Sequence, residues 1–244
     1  MKLWDKGGST HEKIDQFTVG NDRALDLFLA PYDVRASIAH AQMLAKVGLL
    51  SQEEALRLVG GLEQIGKEIA IGEFQIENEF EDVHSKIEFL LTQRLGEVGK
   101  KIHSARSRND QVLVAMQLFL KDVILDLKTG TQNLFELLLD LAETHKSKIL
   151  PGYTHLQLAM PSSFGLWFSS YAESLIDDVY FLEAAYKVCD QNPLGSAAGY
   201  GSSFPIDRKM TTQALEFSTL KYNVGAAQMG RGKTEKPTAF GMSG

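Results

Sequence analysis

Between residues 107 and 146 the apolar side chains keep a helical spacing, and only Gly130 could interrupt it. An internal glycine costs a helix only about 1 kcal/mol against alanine, so the pattern predicts one unbroken helix. At 1.5 Å per residue that helix is roughly 60 Å long. Val112, Met116, Phe119 and Val123 form one stripe, continued by Leu134, Leu138 and Leu141, while Leu113, Leu120 and Ile124 fill the neighbouring face. A helix apolar on more than one side is surrounded by other helices. Such an element restricts the chain to a helical bundle, with partner subunits expected to complete it.

The remaining segments agree with an all-α fold. Apolar residues recur at three and four over 22–49, with Gly48 as a stop. Ser51 with Glu54 three residues on forms a capping box that opens a helix running to about Ile71. A third helix is predicted over 81–95, with Gly96 and Gly99 behind it. Pro151-Gly152-Tyr153-Thr154-His155 reads as a turn. A second long helix then follows Pro161 and runs to about Val188. The stretch 192–201 is a glycine-rich loop, 205–215 a short helix, and a further helix begins beyond Asn223. Strand signals are too sparse for a sheet of any size. The expected organisation is an N-terminal helical domain over 1–103 and a central helical-bundle domain over 104–244.

The bulk properties narrow the function classes. A net charge of -6 gives nucleic acid no electrostatic support. Against that acidic background, Lys100, Lys101, His103, Arg106 and Arg108 form a local basic cluster. An anionic small molecule explains the contrast better than a polymer. Cys189 is the only cysteine, which excludes a disulfide framework or a cysteine-based metal site within one chain. The first residues lack the apolar core of a signal peptide, and no apolar run is long enough to span a bilayer. The expectation is a cytoplasmic protein with no membrane and no nucleic-acid partner.

The basic cluster leads into Ser104-Ala105-Arg106-Ser107-Arg108-Asn109-Asp110-Gln111, at the start of the long helix. A helix N-terminus offers unpaired N–H groups and partial positive charge. Arginine adds a planar fork that matches a carboxylate. Two readings stand open here: a grip for a small carboxylate-bearing anion, and helix capping by Ser and Asn-Asp with a solvated basic turn. Two other polar clusters stand out. Thr154-His155 with Gln157 sits in the turn between the long helices, where rigid elements could hold a catalytic group. Glu81-Asp82-Val83-His84 opens the third helix, where acids favour the helix dipole and a structural role. The histidines lack paired ligand spacing, so no metal site is expected. The loop at 192–201 lacks the Lys-Ser/Thr of a phosphate-binding loop, and no strand precedes Ser202 to make a nucleophile elbow.

In combination, three strips closely resemble argininosuccinate lyases of the aspartase/fumarase superfamily. They are Lys101-Ile102-His103-Ser104-Ala105-Arg106-Ser107-Arg108-Asn109-Asp110-Gln111-Val112, Pro151-Gly152-Tyr153-Thr154-His155-Leu156-Gln157, and Asn192-Pro193-Leu194-Gly195-Ser196-Ala197-Ala198-Gly199 with Ser203-Phe204-Pro205-Ile206-Asp207-Arg208. Fumarases and aspartases usually carry Ser-Ser-Asn-Asp where this chain has Ser107-Arg108-Asn109-Asp110. The resemblance implies an all-α fold of the aspartase/fumarase type that assembles as a homotetramer with active sites shared between subunits. It implies cleavage of argininosuccinate to arginine and fumarate by β-elimination, the last step of arginine biosynthesis, with no cofactor. Adenylosuccinate lyase and a non-catalytic scaffold of the same ancestry are the alternatives. By resemblance Ser107, Arg108, Asn109 and Thr154 hold the substrate, His155 serves acid–base catalysis, and Asp26 and His84 are further substrate contacts. Two features depart from the family. Trp4-Asp5-Lys6-Gly7-Gly8 replaces the usual Trp-Gly-Gly-Arg-Phe, and no serine before Asp26 matches the family's substrate contact; Asp22 is nearest by count. The signature loop Gly-Ser-Ser-x-Met-Pro-x-Lys-x-Asn-Pro, with its general-base serine, is absent from the sequence. The chain is therefore expected to be the N-terminal portion of a longer enzyme and inactive alone.

Overall fold

The computed structural model describes residues 12–242, so the divergent Trp4–Gly8 motif and the last two residues lie outside the described part. Helices dominate, and they fall into two compact units: residues up to 119 with 190–231, and residues 120–189 with 232 onward. The expected boundary at 103/104 falls inside the first unit.

The first unit opens with α1 (Glu12–Val19), α2 (Asp22–Asp26) and α3 (Ala30–Lys46). The single helix expected over 22–49 is thus two. Pro31 is the reason: it lacks an N–H and clashes with the preceding turn, so it is tolerated only in the first turn of a new helix. α4 (Gln52–Ala70) starts at the Ser51–Glu54 capping box, with both reciprocal hydrogen bonds made. α5 (Val83–Leu95) is capped by Asp82, whose carboxylate accepts from the Ser85 N–H at 2.7 Å. A short α6 (Glu97–Lys100) and a single 3-10 turn follow. Leu44, Leu58, Leu62, Ile65, Ile87 and Leu91 close the core of α3, α4 and α5. Burying side chains of this size stabilises by about 1.5–3 kcal/mol each.

α7 (Arg108–His145) is one helix through Gly130, as the spacing predicts. Near its start Val114 and Leu118 pack with Ala36, Ala39, Leu194, Leu215 and Phe217 in a second cluster of the first unit. That unit is completed by β3 (Gln191–Asn192), α9 (Arg208–Ala214), β4 (Thr219–Leu220) and α10 (Val224–Gln228), with β3 and β4 pairing in parallel. Asp207 and Asn223 cap α9 and α10 through their side chains.

In the second unit, β1 (Ile149–Thr154) and β2 (Gln157–Ser163) form an antiparallel hairpin where a plain turn was expected. α8 (Phe164–Cys189) follows, with α11 (Glu235–Gly241) packed on it. The pairing sets Thr154 opposite Gln157, so His155 and Leu156 are the two loop residues. Both take positive φ, 51° and 62°. Positive φ at both positions is the requirement of a type I′ hairpin turn, normally met by Asn-Gly. The sequence carries His155-Leu156 instead, so its turn residues do not announce a hairpin.

Candidate active site

The start of α7 is built as a capping arrangement. Ser107 Oγ accepts from the Asn109 N–H at 3.3 Å, and Asp110 Oδ1 accepts in return from the Ser107 N–H at 2.9 Å. Asp110 is fully buried, and its other oxygen accepts the N–H groups of Gly195 at 2.8 Å and Ala197 at 3.0 Å. The glycine-rich loop is therefore an anion-binding nest, already filled by the chain's own carboxylate. Gly195 is required there. Its φ is +86°, and a Cβ would lie 2.7 Å from Arg208 Cγ. Arg208 in turn ties the loop down by donating from Nε to Leu194 O at 2.9 Å and from Nη2 to Lys221 O at 2.8 Å. Asn109 Oδ1 accepts from Arg231 Nη2 at 2.8 Å.

The two arginines of the motif have different fates. Arg106 is buried, donates from Nη1 to Ser37 Oγ at 3.0 Å, and leaves Nε and Nη2 without a hydrogen-bond partner. Burial lowers its pKa, against the charges of Asp33, Glu88 and Asp110. Arg108 stays partly exposed and reaches α5. Its Nη1 donates to Glu88 Oε1 at 3.2 Å and Gln111 Oε1 at 2.9 Å; its Nη2 donates to Glu88 Oε2 and Ser85 Oγ, both at 3.4 Å. Nε lies 3.6 Å from Asp82 Oδ2. His103 Nδ1 sits 3.1 Å from the same Glu88 Oε1. Burial works to raise the Glu88 pKa, but His103, Arg108 and Arg106 outweigh it and hold the carboxyl below its ordinary value.

His84 is buried with its Nδ1 3.0 Å from Asp33 Oδ1. Gln111 donates to both oxygens of Asp33, at 2.9 and 3.2 Å. Burial alone would raise Asp33, yet His84, Arg106 and Gln111 together hold it at about 2. Asp26 Oδ2 accepts the first N–H of α5, from Val83, at 3.1 Å. Burial raises the Asp26 pKa, and the Val83 bond and His84 offset part of that. His40 Nε2 lies 2.9 Å from Ser104 O, and burial beside Arg106 depresses its pKa to about 3.

The first unit thus gathers Ser107, Arg108, Asn109, His84 and Asp26 around the starts of α7 and α5. Thr154 and His155 belong to the second unit, where both are exposed at the hairpin tip. Asp33, Glu88 and His40 were missed in the sequence. A signal existed: Asp33, Ser37 and His40 are spaced four and three apart in an alanine-rich helix, a buried polar stripe. Among the described residues no group of three or more His, Cys, Asp or Glu could hold a metal ion, and no helix is long and apolar enough to cross a membrane.

The chain is similar to several known proteins. Argininosuccinate lyase of Phocaeicola vulgatus is 55% identical over 243 residues, covering 100% of this chain and 54% of the relative. That of Thermotoga neapolitana is 42% identical, covering 96% of this chain and 59% of the relative. The chain therefore spans about half the length of the curated relatives it matches. A crystal structure of EDDS lyase in complex with formate superposes with a TM-score of 0.80 at 26% identity, covering 96% of this chain and 46% of that one. A fumarate lyase:delta crystallin from Brucella melitensis shares the fold, with a TM-score of 0.70 at 19% identity over 88% of this chain and 53% of that one. A family model described as "Lyase" matches residues 9–229, nearly the whole of the described fold, and on that match the chain belongs to the lyase family.

Proposed function

We propose that this chain is part of an argininosuccinate lyase that cleaves argininosuccinate to arginine and fumarate in arginine biosynthesis. The observation that carries the reading is the start of α7. Ser107, Arg108 and Asn109 offer a hydroxyl, a guanidinium and an amide at a helix N-terminus, in a chain 55% identical to the Phocaeicola vulgatus argininosuccinate lyase. Such a cluster suits a dicarboxylate that gains charge. In a β-elimination a base removes the proton beside a carboxylate, and fixed donors stabilise the dianion that forms. The guanidinium nitrogen then leaves with help from an acid. Ser107, Arg108, Asn109 and Thr154 hold the substrate carboxylates, His155 assists proton transfer, and His84 at the start of α5 and Asp26 at the end of α2 are further substrate contacts. No cofactor takes part.

The working enzyme is a cytoplasmic homotetramer whose active sites draw residues from several subunits. The second unit supports assembly, because Leu134, Leu137, Trp167, Tyr171 and Tyr180 of α7 and α8 are exposed there. Apolar faces of that extent normally meet a partner.

The test grafts this chain in place of the matching residues of the Phocaeicola vulgatus enzyme and follows fumarate absorbance. The graft should release fumarate from argininosuccinate and not from adenylosuccinate. The isolated 244-residue chain, lacking the signature serine loop, should release none. Arg108→Ala and His155→Ala should each lower kcat/KM by about a hundredfold or more. Turnover of adenylosuccinate alone would transfer the chain to another lyase of the superfamily. An inert graft beside an active parent would favour the scaffold reading.

A further inference from the structure

The Arg108 guanidinium has five N–H groups, and the four on Nη1 and Nη2 each have an acceptor. The two ends are not held alike. Nη1 makes bonds of 2.9 Å to Gln111 and 3.2 Å to Glu88, whereas both bonds of Nη2 stretch to 3.4 Å. An N–H···O bond has its optimum at about 2.9–3.0 Å, so the Nη2 pair is the weaker and the easier to exchange. Among the described residues Glu88 alone touches both ends. It also meets His103 at 3.1 Å and lies 4.0 Å from Arg106 Nη2, so it is the common counter-charge of the basic cluster. Its backbone is rigid, because α5 is pinned in the core by Ile87 and Leu91 on either side of it.

We propose that Glu88 is a positioning residue for substrate binding. It anchors Arg108 by Nη1 and leaves Nη2 as the end that exchanges its long bonds for a substrate carboxylate. This rests on the lyase reading above and adds to it a residue that touches no substrate itself. Arginine carries large side-chain freedom, and fixing it beforehand removes that cost from binding. Loss of Glu88 therefore weakens substrate binding and spares the chemical step.

The decisive substitution is Glu88→Gln, which keeps the shape and removes the charge. In the active graft it should raise KM about tenfold with kcat within about twofold. On an Arg108→Lys background the same change should add less than about twofold, because the two residues act as one. Glu88→Asp, which keeps the charge but shortens the reach, should give a smaller rise in KM and covers the case in which Glu88→Gln fails to fold. Nitrogen-15 NMR of the 244-residue chain gives a second readout that needs no turnover. Rotation of the Arg108 guanidinium about its Nε–Cζ bond should be slow in the unsubstituted chain, fast in Glu88→Gln and intermediate in Glu88→Asp. An unchanged KM, a loss confined to kcat, or slow rotation in the variants overturns the proposal. If the unsubstituted graft is inert, the lyase reading falls separately, and the rotation measurement alone decides the role of Glu88.

Discussion

The start of α7 and the tip of the β1–β2 hairpin both carry residues of the proposed site, yet they are held by opposite means. Around α7, side chains hold side chains. Asp110 uses one oxygen on its own helix and the other on the glycine-rich loop, Asp33 contacts His84 and Gln111, and Glu88 gathers His103 and Arg108. At the hairpin tip Thr154 and His155 are exposed, and what fixes them is backbone: the strand register and two residues at positive φ. The first region is over-determined, so damage to one member strands several others. In the second, side chains can change with little cost to the fold.

The largest expected effect tests the first half of that contrast. Asp33→Ala removes a fully buried carboxylate and leaves His84 and Gln111 facing a void. Arg106, buried nearby, also loses a counter-charge, and stranding a buried charge in this way typically costs about 3–5 kcal/mol. Urea unfolding should show a loss of that order for Asp33→Ala, and a loss under about 0.5 kcal/mol for Thr154→Ala. Equal losses at the two positions would erase the distinction.

Acid sharpens the same comparison with a somewhat smaller effect. His40 is held neutral, with its pKa depressed from 6.5 to about 3 by burial and by Arg106. The unfolded chain takes up a proton on this residue below its ordinary pKa, while the folded chain does not. The stability His40 lends is therefore complete above pH 6.5 and falls as the pH drops toward 3. Asp33, depressed from 3.8 to about 2, adds stability that is present above 3.8 and lost as the pH falls through 2. Between pH 6.5 and 4 the His40 contribution alone should remove roughly 3 kcal/mol from the unfolding free energy. Urea midpoints across that range should fall, and His40→Asn should flatten the slope. A slope unchanged by the substitution would show that His40 is not the titrating group.

What could be read from the sequence follows the same division. Helices with strong periodicity and local caps were legible: α4 from its Ser51–Glu54 box, α7 through Gly130, and the general course of α8. The break before α3 lies in the sequence as Pro31, but the spacing of apolar residues ran across it. The hairpin escaped because His155 and Leu156 are not turn formers; its register depends on strand pairing that local propensity does not report. At the site, the capping reading of Ser107 and Asp110 is realised in the structure, and capping leaves the Ser107 hydroxyl hydrogen free to be donated. The buried supporting layer was not legible residue by residue. Glu88 reaches Arg108 across 20 positions and Asp33 reaches Gln111 across 78, separations that only the packing of α3 and α5 against the start of α7 closes.

The smallest expected effect bears on the hairpin. Leu156 is 99% exposed at a φ of 62°, so its side chain contributes no packing within the unit and its backbone is strained. A left-handed conformation costs a side-chain-bearing residue about 1–2 kcal/mol, and glycine escapes that cost. Part of the gain is returned, because glycine loses more conformational freedom on folding. Leu156→Gly should therefore stabilise the hairpin by about 0.5–1 kcal/mol, a two- to fivefold rise in amide protection over residues 149–163 by hydrogen exchange. The assembled enzyme gives the stricter comparison. If protection rises in the isolated chain but falls in the active graft, the leucine has a contact in the assembly that outweighs its strain. The hairpin tip would then be secured by a neighbouring subunit rather than by backbone alone, and the contrast with α7 would hold only for the unassembled chain.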